Sequence, residues 1–124
     1  MKPTIRVLEN RIHTSIAHYL RLVIKRPSRF TTVEVSNQQS GHAAMLRQMA
    51  LKRKGVVSGW PDIELFWKRP EGLQMIFFEV KAEGEKAKPH QLALHEELRE
   101  DGHKVYVVYS REEVESILKE LGVI

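Results

Sequence analysis

The sequence contains no cysteine. That absence excludes a disulfide framework, a thiolate zinc site and a Cys nucleophile. No apolar run approaches the roughly 18 residues that a membrane-spanning helix needs. Arg6, Glu9 and Arg11 stand where a secretory signal would need its apolar core, so the expected location is the cytoplasm. Acidic side chains are scarce in one half of the chain. Residues 1–60 hold 11 basic and only 2 acidic residues, whereas residues 61–124 hold 9 and 14. A basic half suits a polyanion such as nucleic acid, and it also fits a solvated surface with chance clustering. The two acids of the basic half, Glu9 and Glu34, therefore stand out.

The 124 residues fit one domain spanning 1–124, and 42% hydrophobic with 29% charged residues describes a globular chain rather than a disordered one. Apolar residues from Ile5 to Val23 recur at helical spacing, which predicts a helix over residues 4–26 that ends before Pro27. Phe30 to Ser36 reads as a strand. Ser40 is placed to cap a helix over residues 41–54, with Leu46, Met49 and Ala50 inward and Gly55 as its stop. Asp62–Trp67 and Gln74–Lys81 read as strands joined by a turn over residues 68–73. A helix from Pro89 to about Asp101, a buried strand over Lys104–Tyr109 and a last helix capped by Ser110 and Glu113 complete the chain. Val114, Ile117, Leu118 and Leu121 form the inward face of that helix. The order αβαββαβα predicts an α/β fold, a mixed sheet of about four strands flanked by helices.

Two groups of charged residues sit where apolar ones are expected. On a helical wheel at ~100° per residue, Glu9 falls within the apolar arc between Ile5, Ile12 and Ile16. It either reaches water from the edge of the stripe or needs a cation, a metal or an unusual pKa. In the hairpin, Glu79 and Lys81 share one face of a strand that is otherwise apolar. A turn centred between Pro70 and Glu71 sets Asp62 opposite Glu79, with backbones within ~5.5 Å. Like charges at that distance repel, and a divalent cation is the usual remedy; the alternative is an Asp that simply precedes a strand, with a Glu79–Lys81 salt bridge beside it. The same register sets Glu64 opposite Phe77, on the same face and one step away, where it has no evident role.

Gln91, in the first turn of the third helix, shares a face with Leu94, His95 and Leu98. Taken alone it reads as a satisfied core amide. The histidines at 13, 18, 42, 90, 95 and 103 show no metal-ligand spacing and read as surface or helix-face residues. Lys52, Arg53 and Lys54 close the second helix, where cations favour the helix dipole and are also placed to contact phosphate.

The run Gly59-Trp60-Pro61-Asp62, then Glu79-Val80-Lys81, then Gln91, preceded by Glu9 on a first helix, resembles the VRR-NUC domain. This is the virus-type replication-repair nuclease branch of the PD-(D/E)xK superfamily. The resemblance runs from the first helix to about Tyr109. It implies a restriction-endonuclease-like core that hydrolyses DNA phosphodiesters with Mg²⁺ or Mn²⁺. Carried over by position, Asp62 and Glu79 would hold metal, with the Val80 backbone carbonyl filling the shell. Lys81 would act on the attacking water, and Glu9 and Gln91 would complete the site, Glu9 as a further metal ligand. Small stand-alone members, common in phages and bacteria, resemble dimeric Holliday-junction resolvases. The implied activity is structure-selective endonuclease cleavage of four-way or related branched DNA in repair. The alternatives are a non-catalytic nucleic-acid-binding module on this fold and a sequence-specific restriction-type nuclease. A homodimer is expected, with its interface sought at Leu118, Leu121, Val123 and Ile124.

Overall fold

The computed structural model describes residues 2–33, 41–55 and 57–124. The elements run α1 (Ile5–Val23), β1 (Arg29–Thr32), α2 (Gly41–Arg53), β2 (Ile63–Arg69), β3 (Gly72–Val80), α3 (Pro89–Glu100), β4 (Lys104–Val108) and α4 (Arg111–Leu121). The four strands form one sheet in the order β1-β2-β3-β4. The first three are antiparallel, and β4 lies parallel to β3, joined through α3. The architecture is the mixed α/β sheet with flanking helices that the element order predicts. No described helix is long and apolar enough to cross a membrane.

Local signals account for most boundaries. Thr4 caps α1, its Oγ1 accepting from the Val7 N–H at 3.2 Å. Ser110 caps α4 through the Glu113 N–H, but the Glu113 carboxylate accepts from Tyr109, one residue before the cap. The hairpin strands run further than expected, because Arg69 still pairs with Gly72 and only Pro70 and Glu71 turn. Their register sets Ile63 opposite Phe78 and Glu64 opposite Phe77, as the turn position requires. The expected strand beyond Val33, with Glu34, and the proposed Ser40 cap lie outside the described residues.

The pleat divides β3 between two environments. Ile76, Phe78 and Val80 join Ile63, Leu65 and Val108 beneath α1 and α4, whose Ile16, Leu20, Val114 and Leu118 close the main core. Phe77 turns to the opposite face, in a smaller cluster with Val105 and Leu98 of α3, edged by Trp60, Met75 and Leu94.

Two expectations are corrected. Leu46 and Met49 of α2 do not point inward, being 50% and 44% exposed, and Ala50 is exposed as well. In addition, the C-terminal apolar residues are not spare surface. Leu118 is fully buried, Leu121 and Val123 pack on the main core, and only Ile124 is exposed. Most of that apolar surface is therefore committed to the fold.

Candidate active site

The site forms where β2 begins and β3 ends, at one end of the sheet. Continuing the hairpin register beyond Ile63 sets Asp62 opposite Glu79 and Pro61 opposite Val80. The Asp62 carbonyl turns away, accepting from the Val33 N–H at 2.9 Å. Its carboxylate turns toward β3, where Oδ2 accepts from the Val80 N–H at 2.8 Å. Pro61, fully buried, has no N–H with which to continue the ladder. In an extended strand the N–H and C=O of one residue point to the same edge. The Val80 carbonyl therefore points to the edge where Asp62 stands, and Pro61 has no donor to offer it. The Pro-Asp pair ends the sheet and leaves a carboxylate and a carbonyl on one edge.

Glu79 lies on the α3 side of β3 and is 3% exposed. Its pKa is pushed from 4.5 up to about 9. Burial is the main cause, and the charge of Asp62 and a hydrogen bond shared with it add to the effect, while Lys81 opposes it. Beside Asp62, the Glu79 carboxyl group therefore favours its protonated form. Lys81, two residues on and 8% exposed, follows Glu79 on the same face. Its N–H donates to the Val108 carbonyl at 3.0 Å, so the backbone stays tied to β4 beyond the last strand residue.

Glu9 reaches the site from α1. Burial raises its pKa, offset by the charge of Lys81 and by the Ala82 N–H, which donates to it. The charges of Asp62 and Glu85 also raise it. The wheel places Glu9 correctly among the α1 apolar residues, yet Ile5 and Leu8 around it are exposed. The first turns of α1 overhang the end of the sheet, and Glu9 meets the β3 terminus rather than the core. Gln91 is engaged in the α3 cap, its Oε1 accepting from the Lys88 N–H at 2.8 Å. Lys52, Arg53 and Lys54 are exposed at the end of α2. Glu64 pairs with Thr31 and Phe77.

Gly59 explains the tight approach of its loop to α3. Its φ is +84°, and a Cβ there would lie 2.8 Å from the His90 ring. Trp60, next in the loop, sets its ring edge-on against Phe77, with centroids 5.7 Å apart.

One residue escaped the sequence reading. His95 of α3 is not a surface histidine; it is fully buried, with Nε2 3.6 Å from the Glu79 Oε1. Burial, then Arg99 and Lys81, hold its pKa below the usual histidine value, so the ring is neutral at pH 7. The signal was its place one turn after Gln91, on the inward face with Leu98.

Among the described residues no three His, Asp or Glu side chains already converge as a metal cage. The donor set nevertheless fits a small hard cation. Mg²⁺ is commonly held by one or two carboxylates and several waters rather than by an all-protein cage. Asp62 and Glu79 supply two carboxylates and Val80 a carbonyl, a set of hard oxygen donors of the kind such a cation takes.

The VRR-NUC domain family model matches residues 11–112, a span that includes Asp62, Glu79, Lys81 and Gln91 and begins two residues after Glu9. A search of curated proteins finds no match. One solved structure, a "VRR_NUC domain", shares 24% identity over 90% of this chain and 95% of its own, with a TM-score of 0.59. Another, a "VRR_NUC domain protein", shares 18% identity over 97% of this chain and 89% of its own, with a TM-score of 0.63. These two similarities establish a common fold, consistent with a restriction-endonuclease-like core. The match over most of its length shows that the chain belongs to the VRR-NUC domain family, a family of nuclease domains.

Proposed function

We propose that the protein is a Mg²⁺- or Mn²⁺-dependent DNA endonuclease that prefers four-way junctions or related branched DNA. The observation that carries this reading is the pairing of Asp62 with the buried Glu79, with Lys81 on the same face. Two carboxyl groups forced together at the end of a sheet are costly without a cation between them. In this reading Asp62, Glu79 and the Val80 carbonyl hold the metal. When bound, the metal would acidify a water and stabilise the charge growing on the scissile phosphate.

Lys81 would orient the attacking water and counter negative charge beside the phosphate. Glu9 would accept a hydrogen bond from a metal-bound or attacking water across the end of the sheet, or join the ligand set directly. The Gln91 Oε1 is committed to Lys88, so any direct part in the site falls to its amide nitrogen. Lys52, Arg53 and Lys54 would contact the flanking phosphate backbone, with affinity falling as salt rises. One set of site residues cuts one strand, so paired cuts on a junction call for a homodimer. Bacterial or phage origin and action in the cytoplasm belong to the same proposal.

The test is incubation with linear duplex, flap and four-way-junction DNA in Mg²⁺, Mn²⁺ or EDTA. Metal-dependent cutting of branched substrates, abolished by EDTA, supports the proposal. Binding without cutting in either metal would identify a nucleic-acid-binding module. Cutting of duplex at one fixed sequence would identify a restriction-type enzyme. Sedimentation equilibrium at micromolar concentration tests the dimer, and a 14.4 kDa species throughout would reject it.

A further inference from the structure

We propose that His95 is a positioning residue for Glu79. Its Nε2–H donates to the buried Oε1, holding the second carboxylate oxygen toward the cation. This inference rests on the metal-dependent reading above. The geometry begins with burial: His95 is fully enclosed, and its Nε2 stands 3.6 Å from the Glu79 Oε1. Among the described residues neither ring nitrogen has a hydrogen-bond partner, and neither has Oε1. Buried polar atoms are rarely left unpaired, and two that face each other at this distance are one small side-chain movement from a hydrogen bond.

The scaffold holds the ring in place. The start of α3 is capped by Gln91 on Lys88 and abutted by the Gly59 loop. Near its end, the Arg99 guanidinium donates to the Val105 carbonyl of β4 at 2.8 Å. His95 lies between these ties, on the turn of α3 that faces Glu79. A carboxylate that binds a cation through one oxygen needs a donor at the other, and such outer partners fix its orientation. Among the described residues, His95 Nε2 stands placed for that task. A purely space-filling role for the ring would not require a nitrogen at this position.

Mn²⁺ binding followed by electron paramagnetic resonance separates the two roles. The proteins compared are wild type, Asp62→Ala, His95→Phe and His95→Gln, with circular dichroism to confirm folding. His95→Phe keeps the ring but removes the donor, and is expected to weaken Mn²⁺ binding about tenfold or more. His95→Gln supplies an amide N–H near the Nε2 position and is expected to recover most of that loss. In the Mg²⁺-loaded wild type, ¹H–¹⁵N spectra are expected to show a neutral ring protonated on Nε2. Wild-type Mn²⁺ affinity in folded His95→Phe, or a loaded ring protonated on Nδ1, would overturn the proposal. The ring spectrum decides the matter if His95→Phe does not fold. Asp62→Ala binding Mn²⁺ as tightly as wild type would instead remove the metal reading itself and this inference with it, a result distinct from any His95 outcome.

Discussion

The two faces of the sheet differ in what they tolerate. Beneath α1 and α4, β3 presents Ile76, Phe78 and Val80 to a continuous apolar core. On the α3 side the same strand presents Phe77, then Glu79, with Lys81 following. Phe78 and Glu79 are neighbours in sequence and are almost equally buried, yet one is sealed by hydrocarbon and the other meets Asp62 and His95. The thick face supplies the burial that holds the fold. The thin face can therefore carry a carboxyl pair that would destabilise a sheet lacking that support.

That division predicts two different losses. Asp62→Ala, Glu79→Ala and Lys81→Ala should each reduce cleavage by about three orders of magnitude or more, with the helical signal and DNA binding largely retained. Binding should tighten where an acid is removed, because repulsion of phosphate falls. A variant that cuts at wild-type rate with normal metal dependence would remove that residue from the site. Phe78→Ala should have the reverse profile. It should cost about 3–5 kcal/mol of stability by denaturant unfolding, while the molecules still folded cut normally. Cleavage lost in step with stability in both sets would erase the distinction between the faces.

Glu9 bridges the two faces and should show an intermediate effect. Glu9→Gln keeps the size and most hydrogen bonding but removes the charge near Lys81 and Asp62. Cleavage should fall about 10- to 100-fold, with little change in melting temperature. Unchanged kinetics would show that Glu9 is a surface acid, and the wheel argument would fail at that position.

Much of this arrangement was legible because period-two and turn chemistry act locally. A two-residue turn set the hairpin register, and with it Asp62 opposite Glu79. Helix order and caps set the αβαββαβα sequence of elements. The misreadings share a different cause. The pattern of one helix sets Leu46 and Met49 inward, but burial depends on what the helix docks against, whereas Leu118, read inward from the pattern of α4, is buried and only its further reading as interface surface fails. His95 was discounted because a single histidine without ligand spacing carries no local signal. Its meaning comes from the β3–α3–β4 crossover, which brings it beside a residue 16 positions earlier. Sequence spacing could show which face it occupied but not what lay opposite.

The charge pair also gives the thin face its own pH signature. Glu79 titrates near 4.5 when unfolded and is raised to about 9 in the fold, so the folded protein holds a proton that the unfolded chain releases. Its contribution to stability is fully present below pH 4.5 and is lost as pH rises toward 9. His95 acts in the opposite sense, because its lowered pKa costs stability as pH falls below its unfolded value of 6.5. The Glu79 effect is therefore isolated above pH 7. In EDTA the melting temperature should fall by several degrees between pH 7 and 9. Glu79→Gln should flatten that slope, and Mg²⁺ should oppose it by binding the folded carboxylates. Parallel slopes for wild type and Glu79→Gln would show that the carboxyl group is not held in this environment.

The smallest effect is expected in α2, and it completes the contrast between a helix with a buried apolar face and one whose described apolar side chains are largely exposed. In α1, Ile16 and Leu20 are fully buried, and Leu20→Ala should cost about 2–5 kcal/mol. In α2, Met45, Leu46 and Met49 expose about half of their surface. Leu46→Ser and Met49→Ser should therefore change the unfolding free energy by no more than about 0.5 kcal/mol. The comparison is informative because both helices read alike from sequence, with apolar residues at helical spacing, and only docking separates them. Denaturant unfolding at low and high protein concentration checks the expectation. A loss above about 2 kcal/mol at every concentration would mean that α2 packs against the fold in solution. A loss that grows with concentration would mean that a second copy covers it. A silent pair of substitutions would leave α2 as a helix that contributes its basic end, Lys52 to Lys54, rather than its apolar residues.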